Sequence, residues 1–139
     1  MGGVPDISVR PGDGATSTYT VTDESTAAAV GSGDLPVLGT PVLLAWCEAV
    51  TCEVLARSRG GLAADTTSVG TRVQVDHLAA SAVGAVIEVD ATVAHVDGRL
   101  VRFEVVARET SSDGPERLVG HGEVTRVVVD RDRFLSRLA

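Results

Sequence analysis

Lysine is missing from this sequence: all twelve cations are arginine. Set against nineteen acids they leave a net charge of −7. That balance excludes nucleic-acid binding as a main role, because phosphate contacts need clustered cations. The arginine-only set itself reads as codon bias from a GC-rich genome and carries no functional signal. Aromatic residues are scarce too, at 3%. With Val and Ala abundant, the core has to be assembled from small and β-branched side chains, which favours sheet. The only cysteines, Cys47 and Cys52, lie on one helical stretch and are separated by ~500° of rotation, so their thiols diverge. A disulfide between them would break the helix, and two free buried thiols suit a reducing compartment. No apolar run reaches the ~20 residues of a membrane span, and no charged start followed by an apolar core marks a signal peptide. A soluble, cytoplasmic protein with no membrane partner is expected. His77, His95 and His121 are too scattered for a metal pattern, and the cysteines lack ligand spacing, so neither metal nor cofactor is expected. A glycine-rich phosphate loop is also missing.

What is present fits one domain of 139 residues, 44% of them hydrophobic. Residues 1–14, rich in Gly and Pro, read as a loose flexible arm, with a single domain over 15–139. "TSTYTVTD" (Thr16–Asp23) alternates and is β-branched, as a strand is. "LGTPVLLAWCEAVTCEVLARS" (Leu38–Ser58) reads as one long helix. Thr40 suits the N-cap and Pro41 the first helical position, and the glycines of "RGG" end it. Four long strands follow. In "TTSVGTRVQVDHL", Val69, Thr71, Val73 and Val75 share a face. In "RLVRFEVVARET", Val101, Phe103, Val105 and Ala107 share one face and Arg102, Glu104 and Arg108 the other. Asp97-Gly98 is a hairpin signal, and "RDRFLSRLA" ends the chain as a short helix or a frayed tail. A strand, a long helix and an antiparallel meander imply an α+β fold, with a curved sheet of about five strands wrapped over one helix. A helix apolar on nearly every side needs more than one flat surface to cover it; a second subunit can supply the rest.

Within that helix Glu48 raises a question. On a helical wheel it lies between Leu44, Thr51 and Leu55, away from Glu53 and Arg57. Either it reaches solvent at a seam, or it is a carboxylate in a partly dry pocket, where it needs a hydrogen-bond donor or a proton. The second environment is typical of functional sites. His77 ends an alternating strand on the face of Val73 and Val75. It serves either as a satisfied structural histidine or as a base near neutral pH. Thr40 is explained by capping alone, yet its hydroxyl sits at the open end of the helix, where free N–H groups and the helix dipole favour an oxyanion. "GHG" (Gly120–Gly122) inside a strand marks a bulge or a close backbone approach.

The motifs "GTPVLLAWCEA", "GTRVQVDHLAAS" and "GHGEVTRVVV", taken in this order and spacing, resemble the hot-dog fold thioesterases, in particular the fluoroacetyl-CoA-specific thioesterase family. The likeness spans residues 36–135. It implies a hot-dog fold, a homodimer with the pocket between subunits, and acyl-CoA hydrolysis without a metal. Coenzyme A then enters only as part of the substrate. Position by position the resemblance places catalytic roles on Thr40, Glu48 and His77 and substrate contacts on Gly39, Gly70 and Arg126. The phenylalanines that cover the pocket in the fluoroacetyl-specific enzymes have no counterpart in "SGDLPVL", which offers Leu35, Val37 and Leu38. A different small or medium acyl group is therefore expected. Two other functions share the architecture: a hydratase of enoyl thioesters, whose Asp and His motif is not found, and a non-catalytic acyl-CoA binding module, against which Glu48 argues.

Overall fold

The computed structural model describes residues 7–138. In chain order the elements are strand β1 (Gly14–Thr20), the single helical turn α1 (Ala27–Val30), the long helix α2 (Thr40–Arg57), strands β2 (Thr66–His77), β3 (Val86–Asp97), β4 (Leu100–Thr110) and β5 (Arg117–Asp130), and helix α3 (Arg131–Ser136). This is the α+β hot-dog architecture, one long helix against a five-stranded antiparallel sheet. The sheet order is β1-β3-β4-β5-β2.

Alternation in the sequence decides which side of each strand is buried. Val101, Phe103, Val105 and Ala107 of β4 all point inward and are buried, as their spacing requires. On β3 the inward set is Ile87, Val89, Ala91 and Val93. Against this surface α2 lays Leu43, Cys47, Val50, Val54 and Leu55, so small and branched side chains do the filling that aromatics do elsewhere. Each fully buried Val or Leu contributes roughly 1.5–3 kcal/mol. The buried hydroxyl of Thr51 is satisfied by donating to the Glu48 carbonyl at 2.6 Å. One aromatic pair closes the β1 side, with Tyr19 stacked on Trp46 at 4.7 Å between ring centroids.

The meander holds for β3, β4 and β5, but β2 is not the neighbour of β3. Helix α2 crosses the inner face of the sheet and delivers the chain to the opposite edge, so β2 pairs with β5 and β1 with β3. The chain then returns through residues 78–85. Hydrogen bonds from Leu38 N–H to the Ser81 carbonyl (2.9 Å) and from Val21 N–H to the Ala85 carbonyl (2.8 Å) hold that return. The tight turn after β3 is Gly98–Arg99, one residue later than Asp97-Gly98, with Gly98 at φ +57°.

The expected arm over residues 1–14 lies partly outside the described residues. From Ile7 onward the segment is fastened. Val9 is 5% exposed within the core, and Gly12 N–H donates to the Val93 carbonyl at 2.8 Å. Asp13 receives two hydrogen bonds from Arg59, at 2.8 and 3.2 Å. A single valine at the right place outweighs the loop-forming composition around it. Both cysteines are free, as expected, but only Cys47 is buried; Cys52 faces outward.

Two glycines set the spacing of β2 against β5. A Cβ on Gly120 would meet the Asp76 carbonyl oxygen at 2.8 Å, and one on Gly122 would overlap the Gln74 carbonyl. Both readings of "GHG" therefore apply. The close approach is to a neighbouring strand, and a bulge lies beside it, at Val119. Gly122→Ala should lower the unfolding free energy in urea by about 3 kcal/mol. Gly114→Ala, in the open turn before β5, should change it by less than about 0.5 kcal/mol. Equal values for the two variants would contradict the close approach.

Candidate active site

Thr40 opens α2 but does not cap it. The N-cap is Gly39, whose extended backbone (φ −75°, ψ 138°) starts the helix without a side-chain cap. The Thr40 hydroxyl is thereby released, and it lies 2.8 Å from Nδ1 of His77. Burial pushes the His77 pKa below the ordinary value of 6.5, with the Ala79 backbone acting in the opposite sense. The ring is thus neutral at pH 7, and the Thr40 hydroxyl and Nδ1 share one hydrogen, the hydroxyl donating in the tautomer that carries its proton on Nε2. That Nε2 is buried and meets no partner among the described residues.

The pair sits in an open groove of about 260 Å³. Its walls are Ala27, Val37, Leu38, Leu78, Ala79 and Ala80, with Ser32, Thr40 and His77 as the polar members. No charged side chain lines it. The first turn of α2 contributes one donor at this mouth. Val42 and Leu43 N–H both donate to the Gly39 carbonyl, at 3.0 and 3.1 Å, and Pro41 has no N–H. The Thr40 N–H is left without a partner among the described residues.

Glu48 lies farther along the same helix, after ~12 Å of rise. The buried stripe of α2 is centred on Cys47, Val50 and Val54, so Glu48 falls at its margin. Thr51 and Leu55 on one side of it are buried, and Ala45, Ala49 and Cys52 on the other are exposed. Of the two environments left open for Glu48, the single chain shows the seam that reaches solvent. In the single chain the Glu48 side chain is 40% exposed at a seam, and its charged neighbour is Arg126, with Nη1 3.8 Å from Oε2. At that separation the contact is an ion pair, not a hydrogen bond. Across so wet a seam such a pair contributes ~0–1 kcal/mol. Arg126 itself is 7% exposed. Its Nε donates to Ser68 Oγ at 2.8 Å and its Nη2 to the Ser68 carbonyl at 3.2 Å.

A bulge at Thr71 brings Gly70 to this second cluster. Gly70 pairs with Arg126 and Arg72 with Thr125, leaving Thr71 as the extra residue. Alternation therefore changes phase inside β2. Val73, Val75 and His77 share the inner face as expected. Before the bulge the inner positions are Ser68 and Gly70, not Val69 and Thr71. A Cβ on Gly70 would sit 3.3 Å from Arg126 Nη1 and 3.5 Å from Glu48 Oε2, so only glycine leaves that space open. The expected site residues thus form two groups within one chain: Thr40 with His77 in the groove, and Glu48 with Gly70 and Arg126 at the seam. Gly39 joins neither group. Its N–H donates to the Ser25 carbonyl, and a Cβ there would crowd Ala27 at 3.2 Å.

Ser68, Ser32 and Leu78 escaped the sequence reading. Ser68 could be recognised only once the bulge fixed the phase of the strand. The Cys47 thiol, pushed up to about 12 by burial and the Glu48 charge, is unsuited to be a nucleophile. His95 and His121 are exposed, and His121 pairs with Asp76 on the outer face of the sheet. Among the described residues no three His, Cys, Asp or Glu side chains form a metal-binding cluster, and no helix is long and apolar enough to cross a membrane.

A histidine titration by NMR checks the first group. His77 should titrate below 6.5, because burial opposes its charge. The sign for stability follows. Above 6.5 the folded and unfolded chains both hold this ring neutral. As pH falls below 6.5 the unfolded chain takes the proton first, so stability declines until the folded ring also titrates. A His77 midpoint above 6.5 would contradict the buried, neutral ring.

Comparison with known proteins bears on the fold and the family. Among curated proteins none matches the chain. The fluoroacetyl-CoA thioesterase structure superposes with a TM-score of 0.83 at 23% identity, covering 94% of this chain and 96% of that one. A Thermus thermophilus member of the thioesterase superfamily gives 0.79 at 22%, covering 99% and 93%. A hot-dog-like protein from Thermanaerovibrio acidaminovorans gives 0.78 at 24%, covering 92% and 89%. At such identities these likenesses establish the fold. The sequence model described as fluoroacetyl-CoA-specific thioesterase matches residues 21–132, most of the chain. The chain therefore belongs to the fluoroacetyl-CoA-specific thioesterase family, and it is a hot-dog thioester hydrolase.

Proposed function

We propose that this enzyme hydrolyses acyl-CoA thioesters whose acyl group is small or medium, aliphatic and uncharged, and that the site is completed at the interface of a homodimer. The observation that carries the reading is the 2.8 Å contact between a threonine hydroxyl and a neutral imidazole inside an apolar groove. The groove walls argue for the substrate class: a carboxylate or ammonium on the acyl group would be desolvated there without a partner. Val37 and Leu38, standing where the family has phenylalanines, give aliphatic walls, and Leu35 beside them is exposed.

The thioester carbonyl would accept a hydrogen bond from the Thr40 N–H, which faces developing negative charge at a helix start. Two routes use the Thr40–His77 pair. In one, Thr40 Oγ1 attacks the carbonyl carbon as its proton passes to His77. The imidazolium then protonates the departing thiolate, and water cleaves the acyl-threonine. In the other, the pair orients a water that attacks directly, and a Glu48 that the second copy brings to the groove is its base. Trapping an acylated Thr40 by mass spectrometry separates the routes.

The open edge of the sheet at β2 supports the dimer. β2 is paired on one side only, leaving a long row of backbone groups open to a second copy. The same copy would cover the seam at Glu48 and bring its surroundings nearer the dry state that catalysis requires. Analytical ultracentrifugation should give twice the 14.3 kDa chain mass at micromolar concentration. A monomer with full activity would remove the interface from the mechanism.

The decisive assay is thiol release from a panel of acyl-CoAs. Release from acetyl through hexanoyl thioesters, exceeding that from malonyl or succinyl thioesters, is the expected result. Loss of enoyl absorbance without thiol would indicate a hydratase, and binding without either an inert binding module. Glu48→Gln and His77→Ala should each lower kcat/KM at least about a hundredfold while circular dichroism is unchanged. Near-normal turnover in both would discard these roles.

A further inference from the structure

The Arg126 guanidinium is a rigid fork with donors on three nitrogens and no means of shedding its charge. Ser68 receives two of those nitrogens, Nε on its hydroxyl and Nη2 on its carbonyl. The third, Nη1, is the one that faces Glu48, at 3.8 Å across the space above Gly70. Left to rotate, an arginine next to a carboxylate closes into a bidentate pair, with both carboxylate oxygens engaged. That closure has not happened, although the space above Gly70 is free of any side chain.

We propose that Ser68 is a positioning residue for thioester hydrolysis: it anchors Arg126 so that Nη1 presents its charge to Glu48 from a fixed distance and leaves the carboxylate oxygens free to act. The proposal rests on the catalytic role of Glu48 given above. The sequence context supports a dedicated purpose. Ser68 pairs with the fully buried Val128 at an inner position, whereas the buried positions of β3 and β4 hold Val, Ile, Ala or Phe. A hydroxyl at such a position fills space less well than valine, and what it gains is the hydrogen bond to Arg126 Nε.

The test compares Ser68→Ala and Ser68→Thr in the full-length protein. The first removes the hydroxyl and the second keeps it on a β-branched side chain suited to a strand. With the best acyl-CoA of the panel at 25 °C, Ser68→Ala should lower kcat about tenfold with KM changed less than about threefold, since the group disturbed acts on chemistry and not on binding. Ser68→Thr should restore kcat to within about twofold of wild type. Unchanged kcat in Ser68→Ala overturns the proposal, as does equal loss in both variants. A rise in KM alone overturns it too. A second measurement does not need activity. In ¹⁵N-labelled protein the Arg126 Nε–H resonance, assigned by its loss in Arg126→Lys, should be protected from exchange in wild type and Ser68→Thr. It should be exchange-broadened in Ser68→Ala. If wild type cleaves no thioester of the panel, the reaction reading fails and the catalytic half of this proposal with it. The resonance still decides whether Ser68 holds Arg126, and an unaltered Nε–H in Ser68→Ala would refute that half as well.

Discussion

Everything in this molecule is arranged around the contact between α2 and the inner face of the sheet. The helix presents Leu43, Cys47, Val50, Val54 and Leu55 on one stripe, and the strands answer with Ile87, Val89, Val101, Phe103 and Val105. These side chains are mostly small or β-branched, and they fill the space between helix and sheet. The first turn and the middle of the helix then become fixed reference points. Its first turn holds Thr40 where β2 ends at His77, and its middle holds Glu48 where β2 passes Gly70. The site is thus a by-product of laying one helix along one strand, with each functional group placed by burial of its neighbours.

The two groups differ in environment, and the difference has chemical meaning. The groove around Thr40 and His77 is walled by apolar side chains, so the imidazole is neutral and able to accept a proton. The seam around Glu48 is wetter, and the carboxylate there lies beside a buried guanidinium that cannot lose its charge. An imidazole kept neutral by burial and a carboxylate kept near a cation are two different environments set along one helix.

Much of this was legible in the sequence, because burial repeats with a period. The alternation of Val101, Phe103, Val105 and Ala107 announced a half-buried strand, and the apolar run from Leu38 to Ser58 announced the helix. The order of elements then pointed to one sheet over one helix. What the period could not show was where it breaks. Thr71 shifts the phase of β2, so the reading placed Val69 inside and Ser68 outside, the reverse of the fold. Thr40 looked like a cap because threonine caps well, but capping is local chemistry and the competing partner, His77, is 37 residues away in sequence. Arg126 entered only through family likeness, since nothing in a charge on an edge-paired strand reveals that it will be buried. The crossing of β2 to the far edge depends on where α2 lands, which is a property of packing and not of pattern.

The bulge at Thr71 has one more implication. It is a single residue with no partner on the adjoining strand, and its presence decides what stands opposite the acid. Pair it in the ladder instead, and the preceding segment rotates half a turn about its own axis, carrying the Thr71 side chain into the vacancy that glycine now keeps and Val69 into the place of Ser68. The gap would close with a side chain. An open space beside Glu48 and a filled wall are, in this fold, one step of register apart.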